Sequence, residues 1–180
     1  MINRNMLMTN DHCVDSQAVC DSASIVFDDE KMPNGQTKPW EQHRCVKWVD
    51  GRADEDWAIL ELAESPGDLR RWGHLIFANR EPEQREAVAV VEHPGAEVKK
   101  VSKTGCKVEM VSTNNDVNEP IDLAHSCDTV TGSSGAPLLD SRGEVLGVHH
   151  LGFASGWENE NRAVRTSKIY EEIKKYLSND

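Results

Sequence analysis

Short apolar runs separated by polar turns recur along the chain, and most of them read as β-strands rather than helices. Asn5–Thr9 and Ser24–Phe27 (SIVF) are two such runs, and Arg44–Val49 (RCVKWV) alternates residue by residue. Trp57–Leu62 (WAILEL) has the nearly continuous apolar character of a buried strand. Glu64–Asp68 (ESPGD) is turn chemistry, and the charged, aperiodic stretch from there to Arg85 reads as a connection between two lobes. Strand character resumes at Glu86–Glu92, Val98–Val101, Cys106–Val111, Pro137–Asp140 and Glu144–His150, with Ser141-Arg142-Gly143 turning a hairpin between the last two. Two lobes follow, residues 1–72 and 73–180.

Only the end of the chain has helical spacing. Within Thr166–Leu177, Ile169, Ile173, Tyr176 and Leu177 recur three and four apart and make one apolar face. Thr166 or Ser167 is expected to cap this helix, and Lys174 and Lys175 suit its C-terminal dipole. Many short strands with one closing helix predict an all-β fold, as barrels or a sandwich, with the helix as a packing element.

Composition narrows the function more than the fold. Lys and Arg number 20 against 31 for Asp and Glu, a net charge of −11. Binding a phosphate backbone requires the opposite balance, so nucleic acid is not an expected partner. No apolar stretch approaches the roughly 18–20 residues of a membrane-spanning helix, so no membrane partner is expected either. Met1–Asn5 lacks the basic-then-apolar layout of a secretory signal. The five cysteines (Cys13, Cys20, Cys45, Cys106, Cys127) contain no C-x-x-C pair, and the set His12, Cys13, Cys20, His43, Cys45 lacks metal-ligand spacing. No metal is therefore expected, and one thiol at least is unpaired within the chain.

The sharpest chemical signal is Thr131-Gly132-Ser133-Ser134-Gly135-Ala136-Pro137. A serine between glycines sits on a tight turn that can expose its Oγ while backbone N–H groups converge on one point. Such a hydroxyl is a weak nucleophile until a base takes its proton and a third group orients the base. The G-x-S-x-G elbow would need glycine where Ala136 stands, and the surroundings are not strand–turn–helix. Two upstream segments supply the other groups. His12 follows a short apolar strand, and Asp56 heads the strand Trp57–Leu62, where a carboxylate can be half-buried. The order His, Asp, Ser is that of the chymotrypsin type.

Through Thr9–Val14 (TNDHCV), Asp56–Leu62 (DWAILEL), Cys127–Leu139 (CDTVTGSSGAPLL) and Glu144–Gly152 (EVLGVHHLG), the chain resembles the trypsin-like, chymotrypsin-fold serine peptidases. Their bacterial branch of glutamyl and lysyl endopeptidases is the most similar. The resemblance implies two six-stranded antiparallel β-barrels sharing one site, with His12 as general base and acid, Asp56 as its orienter and Ser134 as nucleophile. It implies an oxyanion hole from the N–H groups of Gly132 and Ser134, a polypeptide substrate, no cofactor, and a monomeric enzyme exported to the periplasm or secreted. Asp128, six residues before Ser134, corresponds to the carboxylate that pairs with Lys or Arg in trypsin-like enzymes. Thr129 and His149 correspond to groups that hold a substrate carboxylate in glutamyl endopeptidases. A charged side chain is thus expected in the first specificity pocket, acidic slightly ahead of basic, while His150 reads as a packed strand residue.

Three departures from the family pattern stand out. Only 11 residues precede His12, so about four strands are expected in the first barrel, incomplete at its N-terminus, and six in the second. Such a chain is expected to be unstable or weakly active alone. Cys13 lacks the partner strand its counterpart usually pairs with; Cys106–Cys127 and Cys20–Cys45 are compatible pairs, although four cysteines allow three connectivities. Ser133 stands where trypsin-type activation needs an aspartate. The competing functional reading is a catalytically impaired, protease-like module that holds a peptide in its cleft.

Overall fold

The computed structural model describes residues 1–64, 68–113, 121–152 and 160–177. They form two curled antiparallel sheets. The first has the strand order β1-β4-β3-β2, built from β1 (Met6–Thr9), β2 (Ser24–Phe27), β3 (Glu41–Arg52) and β4 (Trp57–Leu62). β4 is central and covered on both faces, which is why WAILEL carries almost no polar alternation. In β3, by contrast, His43 and Cys45 point inward while Gln42, Arg44 and Val46 do not. A short helix α1 (Gln17–Ser22) packs on β3, capped by Ser16, whose Oγ accepts from the Val19 N–H. Six residues are too few to show helical periodicity, so α1 left no hydrophobic signature in the sequence.

The second sheet runs β6-β5-β9-β10-β11-β8-β7. Its strands are β5 (Ala89–Glu92), β6 (Lys100–Ser102), β7 (Val108–Thr113), β8 (Asp122–His125), β9 (Pro137–Leu139), β10 (Val145–Gly152) and β11 (Asn161–Arg165). Curling is completed by an isolated bridge, Ala87 to Lys107, flanked by Val88 N–H on Cys106 O and Val108 N–H on Glu86 O. The four strands of the first sheet match the expected number; the second has seven among the described residues rather than six. β8 and β11, which match none of the apolar runs in the sequence, bury polar side chains: Asp122, His125, Asn161, Arg162 and Arg165. Their inward positions therefore do not look apolar in the sequence. Residues 65–67, the middle of the expected ESPGD turn, lie outside the described residues.

Three apolar clusters hold these sheets. One fills the second sheet (Val90, Val108, Leu123, Leu138, Leu146), and a smaller one lies under α1 (Val14, Cys20, Cys45, Leu60). The third joins the sheets: Trp57 and Ile59 of β4 meet Val145 and Val164 of the second sheet under helix α2 (Thr166–Ile173). Ile169 and Ile173 are fully buried there, as their spacing predicts. The expected cap is not seen. Arg165 occupies the N-cap position but its side chain does not cap the helix, and Thr166 Oγ1 lies 3.0 Å and 2.9 Å from the carbonyls of Ala78 and Val145. Thr166 thus ties the helix to the second sheet instead of closing its own first turn. Disulfides Cys20–Cys45 (Cα–Cα 5.2 Å) and Cys106–Cys127 (4.2 Å) staple one sheet each, and Cys13 is exposed and unpaired.

Candidate active site

His12, Asp56 and Ser134 come from three loops and meet between the sheets. β1 and β4 pair antiparallel, bringing the end of β1 beside the start of β4. Asn10, fully buried, donates from Nδ2 to the Asp56 carbonyl at 3.0 Å. Asp56 takes a positive φ of 52° at the end of the β3–β4 turn, a conformation Asp tolerates better than most residues. Its Oδ1 accepts the His12 backbone N–H at 2.9 Å and its Oδ2 lies 2.8 Å from His12 Nδ1. On the opposite edge of the ring, His12 Nε2 is 3.1 Å from Ser134 Oγ. Burial alone would raise Asp56, but hydrogen bonds from His150, from the His12 backbone and from the His12 ring hold it below the usual carboxylate range. Asp56 is thereby kept as an anion, which fixes His12 with its proton on Nδ1 and its lone pair toward Ser134.

Among the described residues, hydrogen bonds rather than an ion pair hold the loop bearing Ser134. Ser133, 1% exposed, accepts the Val130 N–H on its Oγ at 3.2 Å, and its own N–H bonds Val130 O at 3.0 Å. The Thr131 carbonyl accepts the Gly95 N–H at 2.8 Å. Gly132 has φ +98°, and a Cβ there would meet Gly95 N and His93 O at 3.2 Å, so only glycine fits this approach. Gly135, at φ +82°, packs directly on Thr9, joining β1 to the serine loop. In this shape the Gly132 and Ser134 amides have no protein acceptor among the described residues, as two donors reserved for an oxyanion would.

A cleft of 420 Å³ beside Ser134 is lined by Thr129, Thr131, Gly132, His149, Leu151 and Gly152, among others. Thr129 is buried and its Oγ1 has no hydrogen-bond partner among the described residues. His149 Nδ1 lies 3.1 Å from Nε2 of buried His125, and the His149 ring also meets the backbone of Arg162. Asp128 is exposed and lines, with Glu92, Lys100 and Thr104, a depression that adjoins this cleft at Thr129 and Val130. His125, Asn10 and Gly95 were not singled out by sequence, because each acts through a neighbour rather than through a motif. His150, expected as strand packing, is indeed buried, but it faces Asp56 with Nδ1 at 3.0 Å. The His149-His150 doublet inside a strand was the only signal for it.

Burial, reinforced by the neighbouring imidazoles, pushes His125 down to about 3 and His149 down to about 4. Both sites bind protons more weakly folded than unfolded, so stability is complete above about pH 6.5 and is lost as pH falls toward 4. The His149 shift alone is worth on the order of 3 kcal/mol, which lowers Tm by about 10 °C for a chain of this size. Thermal unfolding followed by circular dichroism between pH 7 and pH 4 checks this, and a flat profile there contradicts a neutral buried pair.

Comparison with known proteins bears on the same residues. Residues 1–148 match the family model of the trypsin-like peptidase domain. An uncharacterized protein, y4fB of Sinorhizobium fredii, is 26% identical over 162 residues, covering 84% of this chain. The chain spans about a quarter of that relative (24%). Among solved structures, an inactive serine-to-alanine mutant of Rv3671c from M. tuberculosis H37Rv superposes with a TM-score of 0.65 at 18% identity, covering 97% of this chain and 78% of the other. The active form of the Rv3671c protease gives 0.63 at 21% identity, covering 95% and 69%. At these identities the likeness is one of fold.

Proposed function

The chain belongs to the trypsin-like peptidase domain family, and from that premise we propose that it is a serine endopeptidase cutting polypeptides through an acyl-enzyme. The observation that carries this reading is the His12 ring, spanned between Asp56 Oδ2 at 2.8 Å and Ser134 Oγ at 3.1 Å. In the proposed cycle His12 Nε2 takes the Ser134 proton as Oγ attacks the scissile carbonyl, and returns it to the leaving amine. The Gly132 and Ser134 amides receive the oxyanion. A water, deprotonated by the same His12, then releases the acyl group. Residues 1–72 supply His12 and Asp56 and residues 73–180 supply Ser134, so the two lobes work as the walls of one cleft. The two disulfides fit an oxidising compartment, and we place the protein outside the cytoplasm, secreted or periplasmic.

Specificity follows from the cleft lining. Its described residues include no carboxylate to meet Lys or Arg, whereas Thr129 Oγ1 and His149 offer donors to an acid. A hydrogen bond to a charged group is worth about 1.5–3 kcal/mol, so peptides with Glu before the scissile bond are expected to be cleaved about ten-fold or more faster than those with Leu or Lys. Mass-spectrometric digestion of a matched Glu, Lys and Leu panel tests both levels of the proposal. Equal cleavage, or Lys first, overturns the acidic preference, and no cleavage of any peptide overturns the endopeptidase reading.

A further inference from the structure

His150 sits where the two sheets touch, and each of its ring nitrogens faces a carboxyl group. Nδ1 lies 3.0 Å from Asp56 Oδ2, the same oxygen that meets His12. Nε2 lies 3.1 Å from Asp122 Oδ2. Asp122 is fully buried, and neither of its carboxylate oxygens has an aligned hydrogen bond among the described residues. A buried carboxylate needs a charge partner to persist as an anion. His150 is nearer than the other candidate, Arg162, whose Nη1 is 3.9 Å away.

The backbone is shaped for this placement. β10 pairs with β11 as His149 to Ala163 and then Leu151 to Arg162, so His150 is the extra residue of a bulge. Bulges re-aim side chains. Here the bulge gives two adjacent histidines separate tasks: His149 turns to His125 and the cleft, and His150 turns to Asp56.

A neutral imidazole has one N–H and one lone pair, and a lone pair facing either carboxylate would be repelled. We propose that His150 is a positioning residue of the site, held as an imidazolium between Asp56 and Asp122, where it pins the Asp56 carboxylate across the junction of the sheets. This rests on the endopeptidase reading only for its consequence for turnover; the charge state stands on geometry. The other charged or titratable groups around it are His12 through Asp56, Arg162 through Asp122, His125 and His149 behind the cleft, and Asp11 and Asp54 along the adjacent depression. Burial alone would push His150 down, yet the contacts with Asp122 and Asp56 outweigh it and push it up to about 9.

The ¹⁵N-labelled full chain, followed by long-range proton–nitrogen NMR, tests the proposal without any need for activity. Both ring nitrogens of His150 are expected to be protonated at pH 7.5, with one proton released only near pH 9. In Asp122→Asn that release is expected to move down by about one to two pH units, the effect of losing one close opposite charge. If the chain cleaves peptides, its kcat is expected to fall above about pH 9, when the ring must turn and release Asp56, and this alkaline limb should move down with Asp122→Asn. A single protonated nitrogen on wild-type His150 at pH 7.5 overturns the proposal, whether or not any variant folds. An alkaline limb unmoved in a folded Asp122→Asn overturns the link to turnover. Absence of cleavage with a doubly protonated His150 removes the endopeptidase reading and leaves the charge bridge standing.

Discussion

Ser134→Ala is expected to lower kcat roughly a million-fold, the loss seen when the nucleophile of a comparable serine triad is removed. The variant should fold as the parent does. Ser134 Oγ has one described protein contact, the 3.1 Å approach to His12 Nε2, and it lies outside the three apolar clusters. Gly132, Gly135 and the Thr131–Gly95 bond shape the loop independently of the hydroxyl. The proposed oxyanion donors are backbone amides and survive the change, so cleavage should remain above the uncatalysed rate. Labelling with a fluorophosphonate gives the sharper measurement: one adduct on the peptide containing Ser134 in the parent, and none in the variant. An undiminished adduct in Ser134→Ala would place the nucleophile elsewhere. No adduct in the parent would leave a protease-like module that holds peptides without cutting them.

How this site is fixed explains which parts of it could be read from the sequence. WAILEL was legible because its apolar residues are buried by the sheets themselves, and SIVF as a short apolar run in which Ile25 and Phe27 are half-buried and Val26 is exposed; each begins and ends where its pattern does. The serine loop was legible because its glycines are required by backbone approach, at Gly132 to within 3.2 Å of neighbouring backbone atoms. β8 and β11 were not, since Asp122, His125, Arg162 and Arg165 fill inward positions normally held by Val or Leu. Arg165 illustrates the cost and its offset: buried, it gives Nη1 to Glu81 at 2.7 Å and Nε to the Ile121 carbonyl at 3.1 Å. Polar burial of this kind depends on partners far apart in sequence, such as Glu81 and Arg165, and no local pattern announces it.

The same distinction separates the donors of the site from its supports. Ser133 departs from the aspartate of trypsin-type activation, and from the sequence that is only a missing ion pair. In the folded chain the loop is instead closed by short-range bonds, Ser133 Oγ with Val130 N–H and Thr131 O with Gly95 N–H. Trp57 and Ile59 of the first sheet are buried against Val145, Val164 and the terminal helix, so part of the covering for that sheet comes from the second lobe.

Asp56→Asn should cost about ten-thousand-fold in kcat while leaving KM and the fold nearly unchanged, in line with the loss when a triad carboxylate is made an amide. The geometry argues for a full effect here. Asp56 accepts three times: the His12 N–H on Oδ1, and the His12 and His150 rings on Oδ2. An asparagine has one acceptor oxygen, so whichever way it turns, its NH₂ faces a donor. If the oxygen serves the His12 backbone, the amide donates to His12 Nδ1, the proton of His12 shifts to Nε2, and the lone pair that should take the Ser134 proton is gone. If the oxygen serves the rings, the His12 backbone N–H loses its acceptor and the ring shifts against Ser134, while the Asn10 bond to the residue 56 carbonyl keeps the loop folded. Raising the pH cannot restore the tautomer, so the deficit should persist across the neutral range and shrink only where hydroxide replaces the base. Pre-steady-state acylation with an activated ester from pH 6 to pH 10 measures this directly. A loss under about ten-fold would mean that His12 is oriented by something other than Asp56.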